Sequence, residues 1–128
     1  MRRNLGMSMA KILVVDDDPL TAEMLRAFLR IMGHEATEAN DGNEARRRVT
    51  YDHPDAILLD YMLPDINGLD LCREFRADQA TAHLPIIMIS AYAPPLTEAA
   101  FEAGANDYLT KPINISGLRS ALTKAGIT

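Results

Sequence analysis

Several short apolar runs of the chain end on side chains that can do chemistry. These side chains are Asp16, Asp17, Asp60, Ser90 and Lys111. Carboxylates that meet in one place repel one another unless a cation neutralises them, and Mg²⁺ favours such oxygen ligands. A carboxylate can also attack phosphorus while an ammonium and a hydroxyl stabilise the phosphoryl oxygens. The residue types therefore indicate magnesium binding and phosphoryl transfer, provided that the fold brings them together.

The apolar runs alternate with segments of helical spacing, which is typical of an α/β fold with a parallel sheet covered by helices on both faces. The predicted strands are Lys11–Val15, His34–Ala39, Asp55–Asp60, Pro85–Ser90 and Asn106–Thr110. The predicted helices are 20–32, Asn43–Val49, Gly68–Arg76, Leu96–Ala103 and Ile115–Ala125. Ligands of open parallel sheets bind outside the carboxyl ends of the strands. The predicted topology therefore brings the reactive side chains to one edge of the sheet.

The first predicted helix has a start signal, a stop signal and an apolar face. Asp18 before Pro19 is a favoured N-terminal cap, and Gly33 supplies the stop. Four apolar residues at helical spacing are expected to share one face: Leu20, Met24, Phe28 and Ile31.

Composition narrows the class of protein. The chain has 128 residues, 48% of them hydrophobic and 24% charged, which is ordinary for one globular domain. A net charge of −5 argues against a general nucleic-acid binder. One cysteine excludes a disulfide framework, and no apolar run approaches the roughly 18 residues of a membrane-spanning helix. We expect a cytoplasmic domain over residues 10–128, preceded by an N-terminal extension over residues 1–9.

The other candidate residues have ordinary structural explanations. Asp65 and Asn67 are interpreted as turn residues, and Cys72 is expected in the core. The chain has neither GxxxxGK[ST] nor GxGxxG, so a nucleotide site is unsupported. The histidines lie in turn-like settings without metal-ligand spacing and are expected at the surface: His34, His53 and His83.

Four motifs resemble the receiver domain of two-component response regulators, over residues 10–125. They are ILVVDD at 12–17, LLDYMLPDING at 58–68, PIIMISA at 85–91 and AGANDYLTKP at 103–112. The resemblance implies a flavodoxin-like (βα)5 sandwich with a five-stranded parallel sheet of order 2-1-3-4-5. It also implies a phosphorylation-activated signalling switch rather than an enzyme, either a stand-alone receiver or one cut from a longer regulator.

The same resemblance implies roles for individual residues. Asp60 would be the phosphoacceptor, while Ser90 and Lys111 would contact the phosphoryl oxygens and assist the transfer. Tyr108 occupies the aromatic switch position and would turn inward when Ser90 moves toward the phosphoryl group. The Lys111–Pro112 peptide bond is expected to be cis.

A metal site and a shield for the phosphoryl group are also implied. Asp16, Asp17 and Asp60 would hold Mg²⁺, with Mn²⁺ as a substitute, together with the backbone carbonyl of Met62. In the family, the positions of Met62 and Tyr92 flank the path of the hydrolytic water. Their apolar and aromatic side chains are therefore expected to lengthen the lifetime of the acyl phosphate.

The resemblance implies a histidine kinase or histidine phosphotransfer protein as donor and a downstream protein as target. The net charge and the short apolar runs argue against direct contact with nucleic acid or membrane, and a homodimer is left open. One alternative is an aspartate-nucleophile phosphatase of the haloacid-dehalogenase type, but its D-x-D-x-T motif has a threonine where this chain has Leu20. A second alternative is a receiver-like module that binds partners without phosphorylation.

Overall fold

Five parallel strands form one sheet in the computed structural model, which describes residues 9–127. The strands lie in the order β2-β1-β3-β4-β5 and are β1 (Lys11–Val15), β2 (Glu35–Ala39), β3 (Ala56–Asp60), β4 (Ile86–Ser90) and β5 (Asp107–Thr110). The helices are α1 (Pro19–Ile31), α2 (Gly42–Asp52), α3 (Gly68–Ala77), α4 (Thr97–Glu102) and α5 (Ile115–Lys124). This is the flavodoxin-like (βα)5 arrangement that the sequence predicts. The predicted extension over residues 1–9 lies outside the described residues except for Met9.

The central strands are buried on both faces of the sheet, as their continuous apolar runs predict. Every residue of β3 and β4 is buried, and β1 is buried after its first residue. Alternate side chains enter two apolar clusters on opposite faces, so that Leu13 and Val15 lie in one cluster and Ile12 and Val14 in the other. The carboxyl ends of these strands are consequently fixed by packing on both sides.

The helices within residues 9–127 are all too short or too polar to span a membrane.

Helix α1 begins as predicted but buries a different face. Asp18 caps the helix by accepting the backbone N–H of Leu20 and the hydroxyl of Thr21. Leu20 and Ile31, two of the four residues expected to share one apolar face, are 76% and 69% exposed, and the other two are half-buried. The helix carries apolar residues over more than one stripe, and the sheet packs against the stripe with the small alanine. The buried residues are Ala22, Leu25 and Leu29.

The expectation that all three histidines lie at the surface is wrong for His34. Its side chain is buried, and Nδ1 accepts the backbone N–H of Ala10 at 3.1 Å. The imidazole thus satisfies a main-chain donor just before β1 begins, a contact between residues that are distant in the chain. His53 and His83 are exposed and Cys72 is fully buried, as predicted.

Candidate functional site

Two buried strands bring aspartates together at one edge of the sheet. Strands β1 and β3 are parallel neighbours in which Val15 lies opposite Leu59. The next residue of each chain segment is an aspartate, so Asp16 and Asp60 lie side by side. One carboxylate oxygen each of Asp16, Asp17 and Asp60 lies within 4.8 Å of the others. The structure therefore assembles the predicted acidic cluster.

Lys111 is the cationic partner of this cluster. Its Nζ lies 2.8 Å from Asp16 Oδ2 and 3.4 Å from Asp60 Oδ2. Burial disfavours the charged ammonium, but the contacts with both carboxylates outweigh burial, and the pKa of Lys111 lies above its usual value. Asp16 and Asp60 are 1% and 5% exposed, whereas Asp17 is exposed. With one ammonium among three carboxylates, the oxygen ligands and the remaining negative charge fit a hard divalent cation such as Mg²⁺.

The Asp60 carboxyl group is perturbed by its surroundings. Burial and the charge of Asp16 raise its pKa to about 6, although Lys111 and the backbone N–H of Met62 favour the ionised form. Desolvation and a like charge both disfavour the carboxylate, so they together outweigh the cation beside it. A buried carboxylate with this environment is a candidate nucleophile.

The loop after β3 returns close to the strand that carries Asp60. Met62 forms an antiparallel bridge with Asn67, and the N–H of Gly68 donates to the carbonyl of Tyr61 at 2.7 Å. A Cβ at position 68 would collide with the backbone carbonyl of Asp60, so this close approach requires glycine. The main chain at Met62 is thereby held beside the acidic cluster, while the Met62 side chain is 63% exposed.

Ser90 ends strand β4 and is completely buried. Its Oγ accepts the backbone N–H of Tyr92 at 2.9 Å, and its carbonyl accepts the N–H of Lys111 at 2.9 Å. The second bond aligns the carboxyl ends of β4 and β5. Beyond Ser90, the rings of Tyr92 and Tyr61 form a T-shaped pair with centroids 5.3 Å apart. No pattern in the sequence indicated this contact of Tyr61.

Tyr108 is half-buried on β5 and is hydrogen-bonded to the segment that follows β4. Its hydroxyl accepts the backbone N–H of Leu96 at 3.1 Å. Leu96 precedes α4 without a side-chain capping bond of its own. The Lys111–Pro112 peptide bond is cis, as predicted, and the Ala93–Pro94 bond is also cis.

Asp65 has a contact that its interpretation as a turn residue missed. Its carboxylate accepts the backbone N–H groups of Gly42 at 2.8 Å and Asn43 at 2.9 Å, at the start of α2. The partners lie more than 20 residues earlier in the chain, so no local pattern could show them. Asn67 caps α3 by accepting the N–H of Asp70 at 2.9 Å, a local pattern that the sequence does show.

The raised pKa of Asp60 gives a stability test on the metal-free protein. The folded carboxyl has a pKa of about 6, and the unfolded one titrates near about 3.9. The folded state therefore holds the proton more tightly, and stability falls as pH rises through this window. Asp60→Asn mimics the protonated carboxyl, so we expect it to be more stable than wild type at pH 7.5 by roughly 1–2 kcal/mol, after a discount for solvent screening.

Urea unfolding in EDTA at pH 7.5 and at pH 4 measures this difference. The stability gain of Asp60→Asn should shrink strongly at pH 4, where the folded wild-type carboxyl is protonated and roughly half of the unfolded carboxyls are protonated too. An equal advantage at both pH values, or none at pH 7.5, would contradict the electrostatic description of the site.

Comparison with known proteins finds regulatory proteins among the relatives of this chain. The chain is 45% identical to the DNA-binding response regulator MtrA of Mycolicibacterium smegmatis, over 80% of this chain and 44% of that protein. It is 38% identical to the probable transcriptional regulatory protein TcrX of Mycobacterium tuberculosis, over 100% of this chain and 56% of that protein. The chain thus spans about half the length of these curated relatives.

Solved structures share the fold. A crystal structure from Chloroflexus aurantiacus, described as a response regulator, has a TM-score of 0.86 and 39% identity, and the match covers 91% of this chain and 98% of that one. The receiver domain of the sensor histidine kinase PA1611 from Pseudomonas aeruginosa has a TM-score of 0.81 and 35% identity, with the same coverage. That structure holds a magnesium ion coordinated in its active site cleft.

The family model of the response regulator receiver domain matches residues 12–123, which include the acidic cluster, Ser90 and Lys111. The fold, the match and the relatives agree, and the chain belongs to the response regulator receiver domain family.

Proposed function

We propose that this receiver domain is a phosphorylation-controlled signalling switch that accepts a phosphoryl group on Asp60. The observation that carries the proposal is the cluster of Asp16, Asp17 and Asp60 at adjacent strand ends, with Lys111 Nζ close to two of the carboxylates. Receiver domains of response regulators take phosphoryl groups from histidine kinases, so family membership supports a histidine kinase or a histidine phosphotransfer protein as donor.

Asp60 would supply the nucleophile. One carboxylate oxygen forms a bond to phosphorus while the bond between phosphorus and the donor's imidazole nitrogen breaks, and that nitrogen keeps the electron pair. The Lys111 ammonium, 3.4 Å from Asp60 Oδ2, is positioned to neutralise a phosphoryl oxygen. The hydroxyl of Ser90 accepts the N–H of Tyr92, which leaves its own hydrogen for another phosphoryl oxygen.

The metal ligands in this proposal are the carboxylates of Asp16, Asp17 and Asp60 and the backbone carbonyl of Met62. Mg²⁺ suits this all-oxygen set, and Mn²⁺ accepts similar ligands. When bound, the cation supplies positive charge beside the phosphoryl oxygens. The magnesium ion in the PA1611 receiver domain supports the choice of metal.

The signal would leave the site through Ser90 and Tyr108. When the Ser90 hydroxyl turns toward a phosphoryl group, it releases the N–H of Tyr92 and frees the segment that leads to Leu96. The Tyr108 hydroxyl holds the N–H of Leu96 in the present state, so a change in this segment frees Tyr108 to turn inward. Phosphorylation then shifts the population toward a state with a different surface on α4, β5 and α5.

We further propose that the chain acts in the cytoplasm and passes its signal to a downstream protein, with residues 10–128 as the receiver and 1–9 as an extension. The net charge of −5 disfavours direct binding to nucleic acid. One of the relatives, MtrA, is a DNA-binding response regulator, but this chain covers only 44% of that protein. A homodimer through α4 and α5 is compatible with the proposal.

Receiver domains are signalling switches and are generally not classed as enzymes.

Intact mass after incubation with acetyl phosphate and Mg²⁺ tests Asp60 as the acceptor. We expect the wild type to gain one phosphoryl group, about 80 Da, because a small-molecule donor can replace the protein donor. Asp60→Asn, which keeps the shape of the side chain but removes the nucleophile, should gain none. Omission of Mg²⁺ should reduce the yield in the wild type.

Three other results would contradict the proposal. Equal phosphorylation of wild type and Asp60→Asn would place the acceptor elsewhere, and catalytic release of phosphate without an adduct would favour the phosphatase alternative. If neither acetyl phosphate nor histidine kinases gave an adduct, the module that binds partners without phosphorylation would be favoured.

Met62 and Tyr92 are proposed to shield the phosphoryl group from water. Both side chains are exposed, at 63% and 44%, and each lies two residues after a proposed site residue. We expect Met62→Asn and Tyr92→Glu to speed dephosphorylation by roughly fivefold, which corresponds to about 1 kcal/mol in the barrier. The decay of the 80 Da adduct measures the rate, and Tyr51→Glu, at an exposed tyrosine of α2, is the control. Unchanged decay in the first two variants would overturn the shielding role.

A further inference from the structure

The carboxylate of Asp65 joins the β3–α3 loop, residues 61–67, to α2. Asp65 accepts two backbone N–H groups, from Gly42 and Asn43, which are the first two residues of α2. Charge-assisted bonds to backbone N–H groups are stronger than neutral ones, and a helix N-terminus favours negative charge. These bonds hold the pKa of Asp65 below its usual value. The loop is therefore joined firmly to a helix that belongs to a different part of the chain.

Packing beside this contact is close as well. A Cβ at position 42 would collide with the Ile66 side chain and lie 3.3–3.4 Å from the Asp65 carboxylate oxygens. Gly42 thus leaves just enough space for the tip of the loop against α2. The other end of the loop is fixed by the Met62–Asn67 bridge. Two separate sets of contacts therefore determine the position of the loop main chain.

We propose that Asp65 is a positioning residue for the metal site. The loop carries Met62, whose backbone carbonyl is a proposed metal ligand and whose N–H contacts the Asp60 carboxylate. By fixing the tip of the loop on α2, Asp65 holds the Met62 main chain at a constant distance from the acidic cluster. The inference rests on the proposed function, because that proposal supplies the metal ligands.

Mg²⁺ titration of the purified chain, followed by calorimetry, tests this role. We expect Asp65→Ala to weaken Mg²⁺ binding by about tenfold, the lower end of the effect of residues that orient metal ligands. Asp65→Asn keeps one carbonyl oxygen for one of the two N–H groups, so its loss should be smaller. Gly42→Ala keeps the carboxylate but displaces Ile66, and it should also weaken binding.

Asp41→Ala is the matched control. Asp41 caps the same helix by accepting the N–H of Glu44 at 2.7 Å, and within residues 9–127 no bond joins its carboxylate to the loop. Loss of either cap destabilises α2, so a role of Asp65 in helix stability alone would affect both variants equally. We expect Asp41→Ala to bind Mg²⁺ within twofold of wild type, an outcome that supports positioning.

Amide hydrogen exchange in the metal-free protein gives a second measurement. Residues 62–67 should exchange faster in Asp65→Ala than in wild type or Asp41→Ala, because only the first variant frees the loop. If wild type binds Mg²⁺ and Asp65→Ala binds it as tightly as Asp41→Ala does, the positioning role is wrong while the proposed function stands. If wild type binds no Mg²⁺, the metal site itself is wrong, and both proposals fall.

Discussion

Repulsion between neighbouring carboxylates is the constraint on which the rest of this site depends. Asp16 and Asp60 are far apart in the chain, yet they follow paired residues of adjacent parallel strands. The two strands, β1 and β3, are neighbours at the point where the strand order of the sheet reverses. Open α/β sheets bind their ligands at this point. Lys111, which directly follows β5, balances part of the negative charge. The remaining negative charge is what makes the edge suitable for a divalent cation and, with it, for a phosphoryl group.

The apolar sheet prevents these carboxylates from moving apart. Each fully buried leucine or isoleucine of the central strands contributes roughly 1.5–3 kcal/mol, and β1, β3 and β4 together bury many of them. A shift of the Asp60 pKa to about 6 corresponds to no more than about 3 kcal/mol of unfavourable interaction, at about 1.4 kcal/mol for each unit. The core therefore outweighs the repulsion. The loop after β3 is held by the close approach of Gly68 on one side and by Asp65 on the other.

Local patterns in the sequence predicted the strands and helices, and the family resemblance implied the strand order. Continuous apolar runs identified the buried strands, and the residues that follow them formed the acidic cluster. Local patterns were insufficient where the outcome depended on how the helices, strands and loops pack against one another. Helix α1 has more than one apolar stripe, and the stripe that the spacing indicates is not the one that the sheet buries, so Leu20 and Ile31 are exposed. His34 and Asp65 bind backbone groups that are distant in the chain, and such contacts leave no signal in local spacing.

Magnesium binding by Asp17→Asn tests the central claim most directly, because Asp17 is the exposed member of the cluster and its substitution leaves the core untouched. Calorimetry at pH 7.5 should show one Mg²⁺ for each wild-type chain. The variant should bind at least roughly tenfold more weakly, since even residues behind the metal ligands have effects of that size. Asp70→Asn, on the exposed face of α3, should bind like wild type. Absence of Mg²⁺ binding in the wild type, or equal affinity in wild type and Asp17→Asn, would contradict the claim that the crowded carboxylates form the cation site.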